Sequence, residues 1–144
     1  MAAKLWEGTT VFFIGAAAYP GIELLWRQRT HWTMGIAGGL CLLILYVIYN
    51  GKRLALFWNC AIGSAVITTV EFLLGVVVNL WAGWDVWDYS GMAFHLLGQV
   101  CPLYSGLWGL LSIPIVFVSR GLKRVLARIS PFRAGRVKSL KRAA

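Results

Sequence analysis

The sequence has few charged residues. Only 13% of its 144 residues are Asp, Glu, Lys or Arg, whereas a soluble domain averages about 25%. Hydrophobic residues make up 59% of the chain and are collected in long runs. Too little polar surface remains to cover a water-exposed globule, so the composition excludes a soluble domain and predicts a membrane protein.

Cysteine is also scarce. Cys41, Cys60 and Cys101 each lie within an apolar run. An odd number of cysteines with no CxxC spacing excludes a disulfide framework and a zinc site, so we expect buried, small hydrophobic side chains at these positions. The sequence has neither an HExxH motif nor a GxxxxGK[ST] loop. We therefore expect no metal, no cofactor and no ATPase domain in this chain.

Four apolar segments are present, at about 9–26, 32–50, 54–81 and 93–119. A run of about 20 apolar residues is what a helix needs to cross the hydrocarbon core of a bilayer. No alternating strand pattern appears, and a single span must satisfy its own backbone groups. The sequence therefore predicts an all-α, polytopic membrane protein, with a four-transmembrane-helix bundle in residues 1–119 and a basic tail in residues 120–144.

The cations are distributed unevenly between the two sides of the predicted bundle. Nine of the fourteen Lys and Arg residues lie in the tail. Lys4, Lys52 and Arg53 fall on the same side as the tail. Arg27 and Arg29 fall on the other side. The positive-inside rule therefore predicts a multi-pass membrane protein with both termini cytoplasmic.

The basic tail begins with apolar residues at helical spacing, namely Leu122, Val125, Leu126 and Ile129. Lys and Arg residues lie between them, which predicts a short amphipathic helix on the membrane surface. Such a helix binds anionic lipids of the inner leaflet. Nothing in the tail is typical of base recognition, so no nucleic-acid partner is expected.

Glu71 is the most informative single residue. It lies ten residues before Trp81, or about 15 Å along a helix, which is close to the middle of the membrane. A charge at that depth costs about 2.5–3.5 kcal/mol on insertion scales. Glu71 shares a stripe with small and polar residues spaced three or four apart, which predicts that it faces the bundle interior: Ser64, Thr68, Gly75 and Asn79. It is either a site for a cation or proton, or a protonated or hydrogen-bonded packing element.

Further polar residues lie at the outer ends of the predicted spans. Pro20 is expected to bend or end the first helix, and Glu23 can pair with Arg27 four residues later. Asp88 and Ser90 suit a turn or a helix N-cap before the fourth helix. The predicted binding residues are Glu23, Arg27, Arg29, His31, Thr68, Glu71, Asn79, Trp87, Asp88, Tyr89, His95 and Gln99.

Six elements of the sequence occur together: Tyr19-Pro20-Gly21-Ile22-Glu23, Thr30-His31-Trp32-Thr33-Met34, Glu71-Phe72, Trp87-Asp88-Tyr89-Ser90, Gly98-Gln99-Val100-Cys101 and Trp108. Together they resemble the putative ABC-transporter type IV family of small bacterial membrane proteins. The animal transmembrane protein 229 group looks like a relative of that family. The resemblance implies a transport role in the cell (inner) membrane of a bacterium, with any ATPase on another polypeptide. One departure is His95, where an asparagine is expected in the family.

Three classes of function stay open. The first is a transporter or permease-type component with an outward-facing polar pocket that reaches Glu71. The second is a membrane-embedded enzyme acting on a lipid or lipid-like substrate, with Glu23, Glu71, His31, His95 and Asp88 as catalytic candidates. The third is a lipid-binding or scaffolding subunit. Four helices enclose little volume alone, so a homo-oligomer (a dimer) or a partner membrane subunit is expected.

Overall fold

A computed structural model describes residues 1–131, and four long helices dominate this part of the chain. They are α1 (Ala2–Arg27), α2 (Trp32–Gly51), α3 (Leu56–Gly75) and α4 (Pro102–Ile129). A π-helical segment, Val76–Trp81, extends α3. All four helices are long and apolar enough to cross a membrane. The predicted all-α, four-span membrane protein is confirmed, whereas the side of the membrane that carries the termini stays a prediction.

The end of the bundle opposite the chain's N-terminus carries two connections, residues 28–31 and 82–101, and is called the loop end here. The other end, where α1 begins and α4 ends, is called the terminal end. The π-helical segment leads α3 into the loop end. Its wider turn leaves the neighbouring residues Val78 and Asn79 both buried, an arrangement that π-bulges often provide near functional sites.

The fourth helix begins later than predicted. The sequence placed it at 93–119, but α4 begins at Pro102, whose fixed φ suits the first turn of a helix. Residues 82–101 instead form a loop that folds back on the bundle, so the placement of His95 and Gln99 on the fourth helix was wrong. The backbone is left-handed at Phe94 and Leu97, with φ of 58° and 51°, and a right-handed helix cannot continue through such residues.

The beginning of the tail is helical, but it is not a separate helix. It forms the last turns of α4, which ends at Ile129. Leu126 is only 3% exposed and packs with Val11 of α1 and Tyr46 of α2. Nearby, Lys123 donates a hydrogen bond of 2.7 Å to Glu7 of α1. The rest of the tail, with its remaining cations, lies outside the described residues, and contact with anionic lipids stays a prediction.

The first helix runs through its proline. Pro20 lies inside α1, which continues to Arg27, so of the two expected effects, a bend or an end of the helix, the end does not occur. Gly15 and Gly38 bring α1 and α2 into close contact, because a Cβ on either would collide with the backbone of the other. Small residues commonly allow such close approach between membrane helices.

The helices are arranged as two pairs. α1 packs mainly on α2, α3 packs mainly on α4, and α2 joins the pairs. Gly63 of α3 admits the side chains of Ser112 and Tyr49, so the second pair is also tightly packed. In the middle of the bundle α1 stands apart from α3 and α4, and this separation leaves a cavity.

Candidate functional site

The Glu71 carboxylate is held by two hydrogen bonds from different parts of the chain. The Tyr89 hydroxyl, in the loop of residues 82–101, donates to Oε1 over 2.8 Å. The Trp108 indole nitrogen, on α4, donates to Oε2 over 2.8 Å. Glu71 therefore faces the bundle, as predicted, and links α3 to both the loop and α4.

The polar stripe of α3 faces the same way. The Ser64 hydroxyl donates to the Ser105 carbonyl over 2.6 Å. The Thr68 hydroxyl donates to the Ser105 hydroxyl over 2.9 Å. These contacts fix α3 against α4 one and two turns below Glu71. Thr68 thus packs between helices and does not point into an open polar space.

Asn79 organises the loop at the end of the same stripe. Its amide nitrogen donates to the Trp87 carbonyl over 2.9 Å and to Gln99 Oε1 over 2.8 Å. The Trp87 indole nitrogen donates to the Gln99 carbonyl over 3.0 Å. Gly75 makes room for this network, because a Cβ there would collide with the side chains of Gln99 and Trp87. The network positions the loop so that Tyr89 reaches Glu71.

Aromatic rings surround the Glu71 carboxylate. Tyr89 stacks on Tyr104, with ring centroids 4.6 Å apart and an interplanar angle of 20°. Trp108 lies edge-on to Tyr19, with centroids 6.3 Å apart, and 6.1 Å from Tyr104. These four residues are called the aromatic cluster here. Of these four residues, only Tyr89 was predicted as a site residue. Trp108 could have been recognised from the sequence, because it lies inside a predicted span, whereas most tryptophans lie near segment ends.

A cavity of about 280 Å³ adjoins Glu71. Glu71 is the only charged residue among those of the described chain that line it. The α1 side carries Ile14, Ala18, Tyr19 and Ile22, and the α4 side carries Leu111, Pro114, Ile115 and Val118. Ile22 and Val118 are also exposed on the outer surface of the bundle. The cavity therefore opens sideways between α1 and α4, toward the apolar surroundings of the helices.

The part of the cavity lining that lies away from the opening comes from α2, α3 and the loop. Cys41 and Met34 of α2, Ile67 of α3 and Trp87 of the loop contribute side chains to it. Cys41 is one of the three free cysteines that sequence analysis assigned to packing. Its place in the lining was not predicted, because hydropathy does not tell which face of a wholly apolar helix borders a cavity.

Glu23 and Arg27 form a separate polar cluster near the loop end of α1. Glu23 is 7% exposed and accepts hydrogen bonds from Arg27 Nη2 at 2.5 Å and from the Thr30 hydroxyl at 2.6 Å. The predicted pair of Glu23 and Arg27 is therefore present. Arg29 is exposed to the surroundings and does not join it.

His31 lies at the start of α2 and caps that helix. The backbone N–H of Thr33 donates to His31 Nδ1 over 3.5 Å, and the Thr33 hydroxyl lies 2.8 Å from the same atom. The ring is flanked by Trp32 and Trp84, each with its centroid 5.6 Å away. These contacts give His31 a structural role at the loop end.

Asp88 and His95 shape the exposed part of the loop. The Ser90 hydroxyl and backbone N–H donate to Asp88 over 2.7 Å and 2.8 Å, and these hydrogen bonds lower the pKa of Asp88 below its ordinary value. His95 Nδ1 accepts from the Gly98 backbone N–H over 3.0 Å. Both side chains thus stabilise turns, and both residues are exposed.

The twelve predicted binding residues do not converge on one polar pocket. They divide into the Glu71 site with its supporting loop network, the Glu23–Arg27 cluster, the turns around His31, Asp88 and His95, the interhelical contact of Thr68, and the exposed Arg29. In residues 1–131 no hydrogen bond joins a histidine to a carboxylate. No group of three or more His, Cys, Asp or Glu in this part of the chain is arranged to hold a metal. The space that reaches Glu71 is lined mostly by apolar side chains, contrary to expectation.

Comparison with known proteins gives one family. A family model described as putative ABC-transporter type IV matches residues 31–138. The match spans α2, α3, the loop and α4, and thus Glu71 with both of its hydrogen-bond donors. It leaves α1 outside, including the Tyr19–Glu23 element. No curated protein and no solved structure matches the chain.

Proposed function

Since the chain belongs to the putative ABC-transporter type IV family, we propose that it is a membrane-embedded transport subunit whose substrate site is the cavity at Glu71. The observation that carries this proposal is the position of Glu71 in the wall of a cavity to which all four helices contribute. Its volume of about 280 Å³ is close to the lower bound of about 300 Å³ for small-molecule sites.

The energetics of the carboxylate support a functional role. Ionisable side chains inside a membrane are costly, and they mark substrate or ion pathways by default. A carboxylate used only to join α3 and α4 would not need to border a cavity. Glu71 accepts hydrogen bonds from Tyr89 and Trp108 and is among the residues that line the cavity, which is the arrangement of a binding group held in a fixed orientation.

The loop of residues 82–101 supplies a way to couple binding to a change of shape. Tyr89 belongs to this loop and donates to Glu71. A substrate that takes over this carboxylate oxygen displaces the Tyr89 hydroxyl and releases this part of the loop from α3. Occupation of the cavity would then favour an open loop at one end of the bundle, because a ligand shifts the equilibrium toward the state that it binds better.

Cys41 allows a test that needs no knowledge of the substrate. In a Cys60→Ala/Cys101→Ala background, Cys41 is the only thiol of the chain, and it lines the cavity. Right-side-out and inside-out membrane vesicles containing this variant are treated with a charged, membrane-impermeant maleimide. Transport predicts labelling of Cys41 from both faces, because the cavity is exposed to each side in turn.

Two controls define the outcome of this labelling experiment. A permeant maleimide must label the same variant in both kinds of vesicle, which shows that the thiol is reactive. A Cys41→Ala variant in the same background must stay unlabelled. If the impermeant reagent reaches Cys41 from one face only, or from neither face, a transport pathway through this cavity is ruled out.

The sideways opening between α1 and α4 favours one alternative, a lipid-binding subunit. Apolar residues of both helices line this opening, so a lipid chain can enter without crossing a polar surface. A lipid-binding subunit predicts one-sided labelling of Cys41 together with a stoichiometric lipid in the purified protein. The histidines lie apart from the glutamates, so a membrane-embedded enzyme has no comparable support from the geometry.

A further inference from the structure

Glu71 differs from the other two glutamates of the described helices in its charged neighbours. In residues 1–131, Glu7 forms an ion pair with Lys123 at 2.7 Å, and Glu23 forms one with Arg27 at 2.5 Å. Glu71 forms no ion pair in this part of the chain and accepts hydrogen bonds from two neutral donors instead. An opposite charge within about 4–6 Å favours the ionised form of a carboxyl group. The cavity beside it is therefore complementary to a cation.

The walls next to Glu71 determine which kind of cation fits. Tyr19 and Trp87 line the cavity together with Glu71, and aromatic faces attract cations, most strongly when these are desolvated. A divalent metal instead needs several oxygen ligands, and the lining provides one carboxylate. The site thus suits an organic cation with an apolar shell, such as a quaternary ammonium group, better than a metal ion.

The remainder of the cavity suits an apolar body. It extends from Glu71 to the opening between α1 and α4, where the lining consists of aliphatic residues and a proline: Ile14, Ala18, Ile22, Leu111, Pro114 and Val118. An alkyl chain or aryl group placed there leaves the headgroup beside Glu71. Arg27, the cation nearest to this region along α1, is already paired with Glu23 and is absent from the lining.

We infer that the cavity binds cationic amphiphiles, with a quaternary ammonium or similar onium headgroup beside Glu71 and the apolar body between α1 and α4. The ligand enters sideways from the bilayer. This inference rests on the proposed function, because it names the class of substrate for the same cavity.

Binding is measured as the protection of Cys41 from maleimide labelling by a ligand in the cavity. The probe is dodecyltrimethylammonium, and its matched control is the uncharged analogue in which carbon replaces the nitrogen. Both are added to vesicles carrying the Cys60→Ala/Cys101→Ala variant, and the rate of labelling by a permeant maleimide is followed. The cation is expected to protect Cys41 at a concentration at least tenfold lower than the uncharged analogue.

Glu71→Gln tests the origin of this preference. In this variant the preference for the cation is expected to fall to within about twofold, while the uncharged analogue still protects Cys41 and so reports an intact cavity. Glu7→Gln is the matched control, because Glu7 also lies in a helix but outside the lining, and it is expected to keep the preference. Equal protection by the two probes in the parent variant, or an unchanged preference in Glu71→Gln, overturns the inference.

The preference for the cation and the sidedness of Cys41 labelling are independent results, so either proposal can fail without the other. Two-sided labelling of Cys41 without preference for the cation rejects the substrate class and leaves the transport proposal standing. Preference for the cation with one-sided labelling supports the inferred ligand and rejects transport.

Discussion

The Tyr89 hydroxyl lies 2.8 Å from Glu71 Oε1 and donates a hydrogen bond to it. This bond joins the loop of residues 82–101 to α3, ten residues before the helical span ends at Trp81. It is also the contact that a ligand of Glu71 would replace. The mobility of the loop and the state of the cavity are therefore expected to depend on the same pair of residues.

Tyr89→Phe removes the donor and keeps the ring. An intramolecular hydrogen bond contributes about 0.5–1.5 kcal/mol net, so the loop is expected to open more often in this variant. Hydrogen exchange of the backbone amides in residues 82–101 reports the opening, and exchange in the variant is expected to be at least fivefold faster. Tyr104→Phe is the control, since Tyr104 stacks on Tyr89 but does not bond Glu71. Equal exchange rates in the two variants would contradict the assigned role of Tyr89.

Trp108 and Glu71 are expected to be energetically coupled. Trp108→Phe removes the donor to Glu71 Oε2, and Glu71→Gln removes the charge that accepts it. Groups in one hydrogen-bond network typically show interaction energies of about 0.5–3 kcal/mol. Unfolding free energies in detergent for the two single variants and the double variant measure this coupling. The same cycle with Trp58→Phe, an exposed residue of α3, is expected to be additive, and additivity in both cycles would refute the link.

Gly75→Ala tests the packing that holds the loop. The new Cβ would collide with the Gln99 side chain and lie 3.0 Å from the Trp87 ring. Overpacking of this kind costs about 1–3 kcal/mol, so the melting temperature in detergent is expected to fall. Gly106→Ala is the matched control on α4, because nothing lies within 4 Å of its added Cβ. There the substitution is expected to be neutral or stabilising, since alanine is the better helix former.

Asp88 is expected to titrate below its ordinary pKa of 3.8, because the Ser90 hydroxyl and backbone N–H donate to its charged form. A lowered pKa in the folded chain means that the turn is stabilised above the unfolded pKa. That stabilisation is lost as the pH falls through the lower, folded value. Carboxyl ¹³C chemical shifts of labelled aspartate measure the titration. Ser90→Ala is expected to raise the pKa of Asp88, and an unchanged value would show that Ser90 does not cause the shift.

The membrane fold was predictable because its signals are local. Run length alone located α2 and the combined α3 and π-helical span almost to the residue. The steps of three and four residues around Glu71 identified the face that turns inward. These properties depend on hydropathy and helical periodicity, both of which can be read directly from a single sequence.

The loop was not predictable, because its structure depends on distant partners. Residues 93–101 are as apolar as a span, yet Phe94 and Leu97 are left-handed. The conformation is fixed by Asn79, which lies 20 residues from Gln99 along the chain. The spacing of four residues did predict the pair of Glu23 and Arg27. Sequence position could not show that the histidines have partners of their own, or that Glu71 borders an apolar cavity.

The contacts of Lys123 with Glu7, and of Leu126 with Val11, fasten α1 to α4 at the terminal end. Farther along the bundle the same two helices are held apart by the cavity. The two helices are thus joined at the terminal end and separated beside the cavity. A widening of the entrance would move α1 away from α4 beside the cavity and leave the contacts at the terminal end in place, so a bound molecule would leave sideways with its apolar body first.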